Sequence, residues 1–175
     1  MDRLNLGCGR DILEGWVNLD CIKLPGVDIV HDINQLPLPF DENSLDEILC
    51  SSILEHVEYI PLLKDLHRIL RSGGRLIIIV PHFTSKYAYM DPTHRHFFSA
   101  RTLSFFVSGH PSEYYFDFHF STSELTCIYF SKRTVYLYNH LLEFFVNLNL
   151  RTQDFYEGSF LRIFPATDLK IVLVK

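Results

Sequence analysis

Several absences narrow the reading at once. No uninterrupted apolar run exceeds Leu76–Val80, and a membrane-spanning helix needs about 20 apolar residues, so no span is expected. The opening Met1-Asp2-Arg3-Leu4-Asn5-Leu6-Gly7-Cys8-Gly9 has no apolar leader core, so no secretory signal is expected there. Positive charge is not in excess: 16 Lys+Arg stand against 21 Asp+Glu, a net charge of -5. General nucleic-acid binding, which leans on a cationic surface, is therefore not expected. Cysteine is sparse. Cys8, Cys21, Cys50 and Cys127 form no C-x-x-C pair, so zinc knuckles and dithiol chemistry lose support. Reduced, buried thiols and a cytoplasmic location are the expectation. No low-complexity linker or internal repeat divides the 175 residues, which is room for one domain.

What is present reads as alternating strands and turns in the first half. Short apolar runs at Arg3–Leu6, Trp16–Leu19, Val27–Val30, Leu45–Cys50 and Leu76–Val80 each end in a turn or a polar pair, and all five are expected strands. The unbroken apolar fifth run predicts burial on both faces, as in a parallel sheet. Between the fourth and fifth, Leu62, Leu63, Leu66, Ile69 and Leu70 form one helical stripe. Pro61 suits its first turn and Gly73 its end, with Lys64, Asp65, Arg68 and Arg71 on the wet side. Strand, helix and strand there make a βαβ unit.

The second half is aromatic. Of 15 Phe, 9 Tyr and 1 Trp, most fall between Phe97 and Phe164, and the core is the expected place for most of these rings. A short helix is expected over Ala100–Val107 and a strand over Thr122–Phe130. A helical stripe is expected at Leu137, Tyr138, Leu141, Leu142, Phe145 and Leu148, and a terminal strand at Leu169–Val174. One domain is expected, with residues 1–81 as a cofactor-binding half, 82–165 as a substrate-side region and 166–175 as the last strand.

Four motifs carry chemistry. Leu4-Asn5-Leu6-Gly7-Cys8-Gly9 is a strand running into a glycine turn, where backbone can approach a ligand and N–H groups can meet an anion. Ile12 stands where the dinucleotide fingerprint needs its third glycine, and no G-K-[ST] of a phosphate-binding loop occurs, so nicotinamide, flavin and ATP chemistry are disfavoured. Asp20 ends the second strand, where a carboxylate can hold a ribose diol. The gap from Gly9 to Asp20 is near the minimum for a parallel crossover, which predicts a first crossover helix cut down to about a turn. His31-Asp32-Ile33 ends the third strand, an acid and an aliphatic side chain suited to an adenine. Ser51-Ser52-Ile53 follows the fourth strand and leads to Leu54-Glu55-His56.

In this order and spacing the chain resembles the class I S-adenosylmethionine-dependent methyltransferases of the type 11 kind, in a short form. The resemblance covers Leu4 to about Pro81. It continues more loosely through Asp91-Pro92-Thr93-His94-Arg95-His96-Phe97-Phe98 and the closing Ala166–Val174. It implies an α/β, three-layer Rossmann-like fold with a mostly parallel seven-stranded sheet and an antiparallel last strand. It implies S-adenosylmethionine as cofactor. Asn5 and Leu6 would lead into Gly7, Cys8 and Gly9 against the methionine part. Asp20, with Cys21 beside it, would hold the ribose. Asp32 and Ile33 would frame the adenine, and Ser51, Ser52 and Ile53 would floor the sulfonium. Asp11 departs from the family, which often has a small residue there.

Methyl transfer needs nucleophile, methyl carbon and sulfur in line, and positioning of this kind supplies about 7–11 kcal/mol of barrier reduction. An oxygen or nitrogen acceptor often needs a general base as well. The candidates are His82, then His94, then His56. The acceptor is expected to be a small molecule, for which a sugar or a lipid-linked intermediate is suitable. Two other readings stand beside this one. A non-catalytic binding module could use the same fold. A metal hydrolase could use His94-x-His96 with His82, Asp91, His110 or His119, although no recognised metal-ligand spacing is present and no metal ligand is assigned.

Overall fold

The computed structural model describes residues 2–132 and 138–175. The chain runs β1 (Arg3–Leu6), β2 (Val17–Asp20), β3 (Ile29–Val30), β4 (Leu45–Ser51), α1 (Tyr59–Ile69), β5 (Leu70–Pro81), α2 (Tyr87–Met90), β6 (Thr122–Tyr129), α3 (Tyr138–Val146), α4 (Leu150–Gly158) and β7 (Asp168–Val174). The strands form one seven-stranded sheet in the order β3-β2-β1-β4-β5-β7-β6. β1 to β5 pair in parallel, and β7 runs antiparallel between β5 and β6. The α/β class, the mostly parallel sheet and the antiparallel last strand are as expected.

This order explains where a ligand can go. From β1 the chain steps outward to β2 and β3, then returns to the other side of β1 for β4 and β5. The order reverses between β1 and β4, and in open α/β sheets the carboxyl ends of the strands at such a reversal are where ligands bind. No helix forms between β1 and β2, in keeping with the short gap from Gly9 to Asp20.

One sheet face is sealed. Leu4, Leu6, Ile48, Leu76, Ile78 and Leu173 are buried on it together with Leu62, Leu63, Leu66 and Ile69 of α1. The alternate residues Leu49, Ile77 and Ile79 are only half-buried. Burial of the fifth run on both faces is thus corrected. The helices that would cover the other face at β1–β3 are absent from those short connections.

Local differences from expectation have physical causes. Asp65 is buried, not on the wet side of α1, because it accepts from Leu38 N–H at 2.7 Å and Arg68 Nε at 2.6 Å. Helix α1 ends at Ile69, and Gly73 instead lies inside the longer β5 at φ +77°. There it donates its N–H to Lys175 O. Val27 and Asp28 fall outside β3, since the Asp28 carboxylate turns back to take Asn18 N–H.

The aromatic half differs most. The expected helix over Ala100–Val107 is a 3-10 turn at Thr102–Phe106. Leu137 lies outside the described residues. Leu141, Phe145 and Leu148 are exposed, and α3 buries Asn139 and Val146 instead. The cause is polar: Asn139 Nδ2 donates to Ser131 O. α4 was not expected and is set by an Asn149 capping box with Thr152. Phe98, Phe106, Phe118, Phe120, Phe130 and Tyr156 are buried, but Phe97, Phe105, Tyr114, Tyr115, Phe144, Phe145, Phe155 and Phe160 are exposed. The core therefore takes far fewer of these rings than expected.

Candidate functional site

The glycine turn after β1 is the centre of the site. Gly7 sits at φ +64°, and a Cβ there would lie 2.0 Å from Ile53 Cδ1. Only a glycine lets the turn after β4 pack this closely on the turn after β1. Gly9 sits at φ +53° with nothing within 4 Å of its Cβ direction, so its outer side opens to free space. Its N–H donates to Asp20 Oδ2 at 2.8 Å, and Asp20 Oδ1 takes Ile22 N–H at 2.9 Å. Cys8 N–H meanwhile bonds Leu19 O. Three turns that are far apart in sequence thus meet at one sheet edge.

The flanking residues divide into two groups. Gly7, Gly9, Asp20, Ser51, Ser52 and Ile53 lie at the carboxyl edge with partial or full exposure. Ser52 holds a left-handed backbone at φ +55° and donates its N–H to Ile79 O, which turns the loop outward. Asp32 lies at the end of β3, where its Oδ1 accepts from Asn34 N–H and Nδ2. Those bonds hold its carboxyl below the usual carboxylate range and leave Oδ2 open to another donor. Ile33 follows it, half-buried.

The other group faces inward. Leu6 is a core side chain. Asn5 is buried and donates to Asp11 O at 2.7 Å and to Asn18 Oδ1 at 3.0 Å, so its side chain braces the turn. Asp11 therefore serves through its backbone, where a larger side chain does no harm. Cys8 is buried, and burial and the Asp20 charge push its thiol up. Cys21 is exposed, which corrects the expectation of uniformly buried thiols; all four cysteines are free.

The three histidines have different fates. His82 is fully buried. Its Nε2 bonds Glu157 Oε1 at 2.9 Å and its Nδ1 lies 2.9 Å from Thr84 Oγ1. It sits between the rings of Phe83 and Tyr156. With both nitrogens committed, it locks β5 to α4 and offers nothing to a substrate. Its expected place as first-choice base is corrected on that ground. His56 and His94 lie together, ring centroids 4.6 Å apart at 73°. Burial pushes the His56 imidazole down. His96 instead packs edge-on against Tyr59, so the pair His94-x-His96 does not share a face.

A cavity of about 420 Å³ opens at the same edge, beyond β5. It is bounded by Thr84, Ser85, Lys86, Tyr87 and Tyr89 after β5, by Ser131 after β6, and by Pro165–Thr167 before β7. Sequence reasoning missed it, because its walls come from segments more than 80 residues apart. His94 Nδ1 bonds Ala88 O at 3.1 Å, so the histidine pair is tied to α2, the helix that forms one wall.

This geometry joins a glycine turn, a strand-end acid and a polar turn at the reversal of strand order. Residues 8–78 match the family model described as a methyltransferase domain. The fold is that of the S-adenosylmethionine-dependent methyltransferases. The chain superposes on such an enzyme from Archaeoglobus fulgidus with a TM-score of 0.65 at 17% identity, over 99% of this chain and 86% of that one. A demethylmenaquinone methyltransferase of Staphylococcus epidermidis is 35% identical over 75 residues, 41% of this chain and 31% of that protein. An uncharacterized protein of Methanocaldococcus jannaschii is 47% identical over 47 residues, 27% of this chain and 21% of that protein. The chain thus matches less than a third of the length of these curated relatives. Among the described residues no helix is long and apolar enough to cross a membrane.

Proposed function

We propose that the chain binds S-adenosylmethionine at the crevice between β1 and β4 and passes its methyl group to a small-molecule acceptor. The observation that carries this reading is the meeting of Gly7 with Ile53 and of Gly9 with Asp20. It places the three turns that would hold methionine, ribose and sulfonium around one opening. The residues fit the group: Gly9 leaves the space a ligand needs, Asp20 keeps lone pairs for a diol, and Asp32 Oδ2 is free for an amino group. S-adenosylmethionine supplies an activated methyl on a positive sulfur when bound. Residues 1–81 bind it, 82–165 receive the acceptor, and 166–175 complete the sheet.

The protein's part is mostly placement. Gly7 and Ile53 set the depth of the crevice. Asp20 and Asp32 grip the nucleoside at successive strand ends. The cavity beyond β5 takes the acceptor: Tyr87, Tyr89 and Tyr138 give flat apolar walls and Lys86, Ser85 and Asn139 give polar contacts, a mixture suited to a sugar or to a lipid-linked molecule with a polar head. His56 and His94 serve the acceptor side, each with a ring nitrogen lone pair available to a proton or an electrophile. His82, held by Glu157 and Thr84, keeps β5 and α4 together and takes no part in the transfer.

Titration calorimetry tests the reading. Wild-type protein is expected to bind S-adenosylmethionine and its demethylated product at micromolar concentration. Asp20→Ala is expected to weaken both at least tenfold, in line with loss of hydrogen bonds to a charged acceptor. No binding by folded wild-type protein overturns the proposal. Binding without turnover over a broad acceptor panel favours the non-catalytic module instead.

A further inference from the structure

Glu55 poses a problem that the methyl-transfer reading leaves unsolved. Its side chain is 1% exposed, yet both carboxylate oxygens are without a hydrogen-bond partner. A buried, unpaired carboxylate is among the least tolerable groups in a protein interior. Ligand atoms of Glu55, His56 and His94 all lie within 4.8 Å of one another.

The hydrogen bonds around the two rings decide which nitrogens carry protons. His94 Nδ1 lies 3.1 Å from Ala88 O. A carbonyl only accepts, so Nδ1 holds a proton, and in the neutral ring Nε2 carries a lone pair. Thr93 Oγ1 donates to Asp91 Oδ1 at 2.6 Å. That hydroxyl hydrogen is spent, so Oγ1 accepts from His56 Nδ1 at 2.8 Å, and His56 Nε2 also carries a lone pair. With both rings neutral and the carboxyl ionised, three acceptors are therefore gathered together. A neutral imidazole whose Nδ1–H is held by a backbone carbonyl, or by a hydroxyl leading to a carboxylate, is how metal-binding histidines are oriented.

The loop is braced to keep this arrangement. Arg95 N–H and His96 N–H both donate to Glu55 O, at 2.8 and 3.3 Å. The segment carrying His94 is thereby pinned to the residue carrying the carboxylate, 39 positions earlier in the chain. Bonds of about 2.0–2.2 Å to a divalent ion would draw the three ligand atoms together by roughly an ångström, which rotation of the side chains can supply.

We propose that Glu55, His56 and His94 form a divalent transition-metal site, with two imidazole nitrogens and one carboxylate oxygen as ligands and the remaining coordination positions open. The donor set suits zinc, manganese or iron(II) and not magnesium or calcium, which favour oxygen. Such a site departs from the sequence-based expectation of no metal ligand. His94 is the only member of the formerly considered His94-x-His96 pair to take part. Glu55 follows Ile53 by two residues, so on the methyl-transfer reading the open position is suited to an oxygen of the acceptor. That corollary rests on the reading; the metal site itself does not.

The test uses the full chain stripped with a chelator and titrated with Zn²⁺ by calorimetry and with Co²⁺ by visible absorption. Saturable binding of one ion per chain is expected, with a rise in melting temperature. Glu55→Gln and His94→Ala are each expected to weaken binding at least tenfold, and Thr93→Val, which leaves every ligand in place, about tenfold. His110→Ala and Cys21→Ser are expected to leave it unchanged. Circular dichroism and a melt of each variant without metal separate loss of ligand from loss of fold, and His94→Ala, at the partly exposed rim, carries the test if Glu55→Gln does not fold. Absence of saturable binding by the wild type, or binding that persists in folded His94→Ala, overturns the proposal. S-adenosylmethionine binding measured on the same samples keeps the two readings apart. Metal lost with cofactor kept refutes only the metal site, and the converse refutes only the cofactor crevice.

Discussion

The strands and turns up to Pro81 and the aromatic stretch from His82 to Pro165 are stabilised in different ways. In the first, neighbouring strands pair in parallel and the site arises where short turns meet at their ends. Apolar residues alternate with half-buried ones, and each turn is shaped by one or two glycines or a strand-end acid. In the second, burial alone settles little, since eleven of its large aromatic rings are left exposed among the described residues. Long-range polar bonds determine its course: His82 to Glu157, Thr84 Oγ1 to Ala166 N–H, Ala100 N–H to Glu157 Oε1. A parallel sheet edge can be built from local patterns, whereas an irregular cover needs particular partners far along the chain.

The sharpest test of that contrast is His82→Ala. It leaves Glu157, whose side chain is 12% exposed, without its imidazole. Losing a hydrogen bond to a charged group costs about 1.5–3 kcal/mol, to which the cavity left by the ring adds, and chemical denaturation is expected to show a loss of at least that order. Affinity for S-adenosylmethionine is expected to change little, because His82 touches none of the three turns. Equal loss of cofactor binding would contradict the division.

Gly7→Ala is the counterpart in the first region. The added methyl meets Ile53 and sits on a left-handed backbone. Overpacking costs about 1–3 kcal/mol, and cofactor binding is expected to fall with stability as Ile53 is displaced. Gly9→Ala has free space around it and is expected to cost only the backbone strain, roughly 1–2 kcal/mol, while still weakening cofactor binding. Calorimetry and denaturation on the pair read the difference.

Smaller effects come next. Tyr156→Phe removes the hydroxyl that donates to Phe164 O and accepts from Ala166 N–H. Because Thr84 Oγ1 still accepts from Ala166 N–H, a loss of about 1 kcal/mol is expected, with the cavity wall at Pro165–Thr167 loosened in hydrogen exchange.

The smallest is a pH effect. Arg101 holds the Asp154 carboxyl below its usual range. A depressed folded value means the stabilisation is present above the unfolded value of about 3.9 and is lost as pH falls through the folded one. Asp154→Asn is expected to lower stability at neutral pH and to match the wild type in acid. Both side chains are over two-fifths exposed, so the difference stays under about 1 kcal/mol and shrinks in salt.

Much of the first region was legible from spacing. The glycine turn, Asp20, Asp32 and the strands ending beside them came from alternation and from strand-end chemistry, both short-range signals. The shortened first crossover followed from a residue count. Asp65 was misread because a helical wheel shows a face, not the Leu38 N–H that waits there. Leu6 and Asn5 adjoin the site in sequence, but strand alternation sends their side chains to opposite faces of the sheet, Leu6 into the core and Asn5 to Asp11 O and Asn18 Oδ1. His82 looked like a base because it ends a strand, and its two partners are supplied by Thr84 and by Glu157, 75 positions away. Glu55 carried a signal in its adjacency to His56, but its lack of a donor shows only once His94 is folded against it.

The amino-acid order by itself determined the sheet, the glycine turns and the acids at strand ends, because periodicity and backbone freedom act over a few residues. Which histidines pair and which are buried, where the cavity beyond β5 lies and which aromatic rings are buried were decided only by the tertiary structure. Those properties depend on hydrogen-bond partners and walls that distant segments bring together, and no local pattern encodes them.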